Sequence, residues 1–119
     1  MTKLANAGKP LGAEAIGQAL QKAGAIGPYA RWAQFTAGSG GQLQAHHILE
    51  QKWFGRLVKG DPNLAPSVIL TKAEHARFTA KLEAAKGKID NLEDLWNLYK
   101  DVYEDHPHWL SAIKSYFNK

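Results

Sequence analysis

Five histidines occur in the chain, at positions 46, 47, 75, 106 and 108, and two of them are adjacent in the stretch QLQAHHILEQKW, residues 42–53. Neutral imidazole takes up a proton near neutral pH and also binds divalent ions, so these residues can do acid–base or Lewis-acid chemistry. Three features combine: the His46–His47 pair, Asn63 at the end of KGDPN, and His75 beyond it. Neighbouring residues of a strand project to opposite faces, so His46 and His47 cannot share one task by parallel projection. One of them can hold an ion while the other meets water or a substrate. The chain has no cysteine, so any ion must be held by imidazole, carboxylate, amide or water, and no disulfide braces the fold.

The elements that must place these groups are marked by periodicity and punctuation. Residues 1–11, with Gly8, Pro10 and no periodicity, read as a flexible lead-in. GAEAIGQALQKAG then sets Ala15, Ile16, Ala19, Leu20 and Ala23 at three- and four-residue steps, which predicts an amphipathic helix ended by Gly24. Pro28 opens a second helix, PYARWAQFT, whose Tyr29, Trp32 and Phe35 read as core. After the loop AGSGGQ, QLQAHHIL alternates in part, with Leu43, Ala45 and His47 on one face and His46 and Ile48 on the other, predicting a short strand. EQKWFGRLV predicts a turn of helix that packs Trp53, Phe54 and Leu57, and KGDPN is a turn.

PSVILT, short, β-branched and bounded by proline, predicts the second strand. Thr71 and Glu74 form a T-x-x-E capping box that starts the helix KAEHARFTAKLEAAKG and puts His75 near its first turn. Asp90 or Asn91 caps LEDLWNLYKDVYED, with Leu92, Leu95, Trp96, Tyr99 and Tyr103 on its apolar stripe, and HWLSAIKSYF follows Pro107. The predicted order is helix, helix, strand, strand, helix, helix, helix. The expected fold class is α+β: a mostly helical single domain over residues 12–119, with a strand-loop-strand-helix unit embedded at about residues 42–86.

Bulk properties leave the function class open. At 119 residues the chain fits one ordinary domain, and 45% apolar with 22% charged residues argues against disorder. No apolar run approaches the roughly 20 residues of a membrane span, and MTKLANAGKPLGAEAIGQAL lacks the apolar core of a signal peptide. Residues 1–60 carry seven Lys/Arg against two acidic residues, +5, and residues 61–119 carry eight against nine, −1. The basic half attracts polyanions without naming one. Residues 90–105 carry six acidic residues against Lys100, a net of −5, which reads as a solvated helix face.

Other candidates have two readings each. Glu50 is a metal ligand or imidazole partner, or a solvated carboxylate at a helix start. Lys52, Arg56 and Arg77 are candidates to hold phosphate. His106 and His108 in DHPHW suggest a second metal site, but a helix-start turn beside Pro107 is the preferred reading. Trp53, Trp96 and Trp109 read as core.

AHHILEQKWF followed by NLAPSVILTKAEHARFTAKL resembles the HNH/endonuclease VII superfamily of ββα-metal nucleases, and within it the His-His nuclease domains at the C-termini of bacterial polymorphic toxins. The resemblance covers residues 44–82, about a third of the chain. It implies that His46 is a metal ligand and His47 the general base. It further implies that Asn63 orients that base or joins the metal, and that His75 is the helix-borne ligand. The implied function is a metal-dependent endonuclease hydrolysing phosphodiester bonds: a non-specific DNase toxin domain, delivered within a larger secreted antibacterial effector. It would act on DNA in the target-cell cytoplasm, with a cognate immunity protein as partner.

Two departures stand out. Thr79 occupies the position four residues after His75 where a colicin-like pair has a second histidine, and there are no cysteines for a zinc knuckle. A thin shell of His46, His75, Asn63 or Glu50, and water favours Mg²⁺ or Mn²⁺, while two imidazoles also accept Zn²⁺ or Ni²⁺. The alternatives are an RNase using the same site, or a non-catalytic helical module that binds nucleic acid or protein and whose histidines are structural.

Overall fold

The computed structural model describes residues 13–37, 39–85 and 87–119, so the lead-in expected over residues 1–11 lies outside the described residues. The fold is α+β, with five α-helices and a three-stranded antiparallel sheet among the described residues. In chain order these are α1 (Ala13–Ala23), β1 (Ile26–Pro28), α2 (Tyr29–Thr36), β2 (Leu43–His47), β3 (Pro66–Thr71), α3 (Lys72–Glu83), α4 (Leu92–Val102) and α5 (Pro107–Ile113). Short 3-10 turns lie at Gln51–Trp53, Pro62–Leu64 and Lys114–Phe117.

Local signals set most boundaries. Gly24, at φ 65°, ends α1 in the left-handed region that glycine enters without strain. Thr71 Oγ1 accepts from the Glu74 amide at 3.2 Å while the Thr71 amide donates to Glu74 Oε1 at 3.1 Å, so the capping box is complete and α3 starts at Lys72. The Asn91 side chain accepts from the Asp94 amide at 2.8 Å and opens α4, and Pro107 is the first residue of α5. The helical turn expected in EQKWFGRLV is the 3-10 turn Gln51–Trp53.

Strand β1 has no counterpart in the predicted order. Three residues, Ile-Gly-Pro, are too short to carry a periodicity, and what makes them a strand is pairing with β3: Ile26 opposite Val68, Gly27 opposite Ser67 and Pro28 opposite Pro66. A side chain at Gly27 would run into the Trp32 ring, whose Nε1 donates to the Ala25 carbonyl at 3.2 Å. Strand β3 is central, and β2 pairs along its other edge, from Leu43 opposite Thr71 to His47 opposite Ser67.

The sheet separates two apolar clusters. Val68 and Leu70 face the larger one with Ile48, Leu49, Phe78, Leu82, Leu95, Tyr99, Tyr103, Trp109 and Ile113. Leu43 and Ile69 face the smaller one with Trp32, closed by the partly buried Leu20, Ala25, Phe35 and Ala45. Helices α1 and α2 close over the smaller cluster at Gly17, where a Cβ would strike the Phe35 carbonyl. The acidic residues Asp90, Glu93, Asp101, Glu104 and Asp105 are exposed. No helix among the described residues is long and apolar enough to cross a membrane.

Candidate functional site

The alternation of β2 sends its last two residues to opposite faces of the sheet. His46, opposite Val68, turns into the larger cluster and is only 4% exposed, with the rings of His75, Phe78, Tyr103 and Trp109 centred 5.4–6.1 Å away. Its Nε2 lies 2.9 Å from the Tyr103 hydroxyl, which in turn lies 2.8 Å from the Ile48 carbonyl. A carbonyl only accepts, so the hydroxyl's one proton goes to Ile48 and the hydroxyl accepts from His46 Nε2–H. His46 Nδ1 is therefore the nitrogen without a proton. Burial, followed by the neighbouring His75 and His47, pushes its pKa down to about 3, so the ring is neutral near pH 7.

His47, opposite Ser67, stacks on Tyr29 with ring centres 3.8 Å apart and planes 13° apart. Its Nε2 lies 3.0 Å from the Pro62 carbonyl, so by the same reasoning it donates Nε2–H there and keeps a bare Nδ1. Desolvation lowers its pKa, and the bond to Pro62 opposes that by favouring the charged ring. His47 is thus a half-buried imidazole with one nitrogen anchored and the other free to accept a proton.

His75, on α3, meets the His46 ring edge-on with centres 5.4 Å apart, and burial lowers its pKa. Two imidazoles bonded to one ion at about 2.1 Å each have ring centres about 5 Å apart, so this pair has the spacing to share an ion. His46, His47 and His75 all line one cleft of about 290 Å³, together with Tyr29, Thr79, Glu50 and Glu83. The lining holds three imidazoles and two carboxylates and neither Lys nor Arg. Such a donor set suits a cation. Among the described residues no group of three His, Asp or Glu is arranged to hold an ion, so a bound ion would take its remaining ligands from water or substrate.

The other candidates fall around this cleft or away from it. Glu50 Oε1 accepts from the Tyr99 hydroxyl at 3.1 Å and from Trp53 Nε1 at 3.1 Å, and its Oε2 lies 3.5 Å from Lys52 Nζ. Lys52 also reaches Glu83 at 3.9 Å, so carboxylates already engage it. Arg56 lies over Trp53 at 5.1 Å and Arg77 over Phe78 at 5.5 Å, and neither lines the cleft. Asn63 is exposed and outside the lining, its amide donating to Asp61 Oδ1 at 2.9 Å. The loop contact to His47 comes from the carbonyl one residue earlier.

His106 stacks on Trp109 at 4.0 Å, just before the proline that starts α5, and His108 is exposed. The three tryptophans read as core differ in depth: Trp53 and Trp109 are buried, and Trp96 packs at the margin.

Four residues that touch the site carry no sequence signal for it. Pro62 acts through its backbone, and Tyr29, Tyr99 and Tyr103 read as apolar stripe or core. The one hint for Tyr99 and Tyr103 is that a buried tyrosine needs a partner for its hydroxyl. No family model matches the chain, nor does any curated protein or solved structure.

Proposed function

We propose that the chain is a metal-dependent endonuclease that hydrolyses phosphodiester bonds through a ββα-metal site of the HNH type. The support is one arrangement: β2, β3 and α3 bring His46, His47 and His75 to a single cleft, with a proton-free nitrogen assigned on each of the first two. His47 is the general base. Its Nδ1 takes a proton from water while Nε2–H stays on the Pro62 carbonyl, which stabilises the imidazolium that forms.

His46 and His75 would hold the divalent ion: Mg²⁺ or Mn²⁺ on the argument of a thin, hydrated shell, Zn²⁺ or Ni²⁺ on the argument of two imidazoles. When bound, the ion supplies positive charge to a phosphate oxygen and to the leaving oxygen. Glu50, anchored by Tyr99 and Trp53, supplies negative charge beside that pair. Exposed Asn63 and Arg56 are available to contact a nucleic-acid backbone, and Lys52 can do so on leaving its carboxylates.

DNA as substrate, delivery within a larger secreted toxin to the target-cell cytoplasm, and an immunity protein as partner rest on the resemblance of residues 44–82 alone.

The test is a supercoiled-plasmid nicking assay with Mg²⁺, Mn²⁺, Zn²⁺, Ni²⁺ or EDTA, run beside His47→Ala and repeated on RNA. Cutting that needs an ion and is lost in the variant is expected. Intact DNA and RNA with every ion would overturn the reading. A second reading draws on the depth of His46, which is 4% exposed and hydrogen-bonded to the Tyr103 hydroxyl: a nucleic-acid-binding module with structural histidines. Such a module keeps its affinity in EDTA and in His47→Ala.

A further inference from the structure

We infer that His46 is presented as a ligand through Nδ1, and that Tyr103 is the positioning residue that fixes this choice by accepting the hydrogen bond from Nε2–H. The inference rests on reading the cleft as a cation site, and it adds which nitrogen faces the ion and what decides it.

The proton assignment follows from the three atoms around the Tyr103 hydroxyl. The Ile48 carbonyl is 2.8 Å away and His46 Nε2 is 2.9 Å away, both in a buried setting. Were the hydroxyl to donate to His46 instead, lone pairs of two oxygens would face each other at 2.8 Å with no water to intervene, and the carbonyl would lose its partner. Tyr99 blocks an exchange of roles. It stacks on Tyr103 with ring centres 5.4 Å apart, and its own hydroxyl is occupied, accepting from the Glu50 amide at 2.9 Å and donating to Glu50 Oε1 at 3.1 Å. Both hydroxyls are committed to the segment that follows β2.

His46 lines the cleft, and its Nε2 is spent on the Tyr103 hydroxyl, which leaves Nδ1 as the ring nitrogen available to face it. On this inference, Nδ1 is the nitrogen offered to that cleft. A tautomer with the proton on Nδ1 would leave Nε2 without a donor role and present an N–H to the cleft, where it repels a cation. The tyrosine thus acts at a distance of one ring: it never meets the ion, but it turns the bare nitrogen outward.

Long-range ¹H–¹⁵N spectra of the uniformly ¹⁵N-labelled protein without metal read the tautomer directly. The expected result is a protonated Nε2 and a bare Nδ1 on His46, with Zn²⁺ then shifting Nδ1. In Tyr103→Phe, which keeps the packed ring, a mixture of tautomers and Zn²⁺ binding weaker by about tenfold or more are expected, with Tyr116→Phe unchanged. A protonated Nδ1 in the wild type, or a Zn²⁺ shift on Nε2, overturns the inference even where Zn²⁺ binds and plasmid is cut. The expected tautomer with no Zn²⁺ shift anywhere on His46 overturns the ligand assignment and the cation reading together. Should Tyr103→Phe fail to fold, the wild-type spectra still decide.

Discussion

The two faces of the sheet are built to different depths, and the histidine pair straddles them. Behind β2 lies the larger cluster, where Ile48, Leu49, Leu95, Tyr99, Tyr103 and Ile113 are fully buried; in front lies a thin layer of Trp32, Leu43 and Ile69. The deep face holds a neutral imidazole whose proton is placed by a tyrosine. The shallow face holds an imidazole steadied by a stacked ring and a loop carbonyl, with access to water. A single register step therefore gives two identical side chains different surroundings, one buried and one half-buried.

The contrast is broken most severely by His47→Ala, which should lower plasmid cutting by about 10²- to 10⁴-fold while leaving the thermal midpoint near that of the wild type. A large loss of midpoint would mean that His47 is structural. The depth difference is measured by Leu95→Ala against Leu20→Ala. The fully buried Leu95 should cost about 2–5 kcal/mol in urea unfolding, and the partly buried Leu20 about half that or less.

Acidity sharpens the same contrast. His46 has a pKa of about 3 in the folded chain against 6.5 unfolded, so the unfolded chain binds the proton first. Stability is then full above about pH 6.5 and falls as pH drops toward 3, by up to about 1.4 kcal/mol per pH unit for that one proton. His47 and His75, also lowered by burial, act with the same sign. Urea midpoints at pH 7, 5.5 and 4 should decline, and His46→Asn should flatten the decline; equal slopes in the two proteins would contradict the burial account. The smallest effect is expected at the rim: Lys52→Ala should change stability by no more than about 0.5 kcal/mol, because the ammonium itself is exposed and its pairs with half-buried Glu50 and exposed Glu83 are long and screened by water.

What was legible in the sequence is what short stretches decide by themselves. PSVILT is strand β3 residue for residue, the Thr71–Glu74 box fixes the start of α3 and hence the place of His75, and the alternation of Leu43, Ala45 and His47 against His46 and Ile48 matches the two faces. Strand β1 was illegible because three residues become a strand only by pairing with β3. The anchors of the two imidazoles were illegible for a related reason. A carbonyl at Pro62 has no side-chain signature, and Tyr103 has the spacing of a core residue whether or not its hydroxyl meets a histidine. Asn63 is the loop residue to which the resemblance gives a role, yet it is the backbone beside it that touches His47.

The bond that orients His47 spans 15 residues of chain and the one that orients His46 spans 57. Neither can form until a long loop has closed, a step whose entropic cost must be met before the contact stabilises anything. On the nuclease reading proposed above, competence then follows tertiary folding: an unfolded chain carries both histidines of the pair with neither aimed, and activity would appear only once these two contacts have formed.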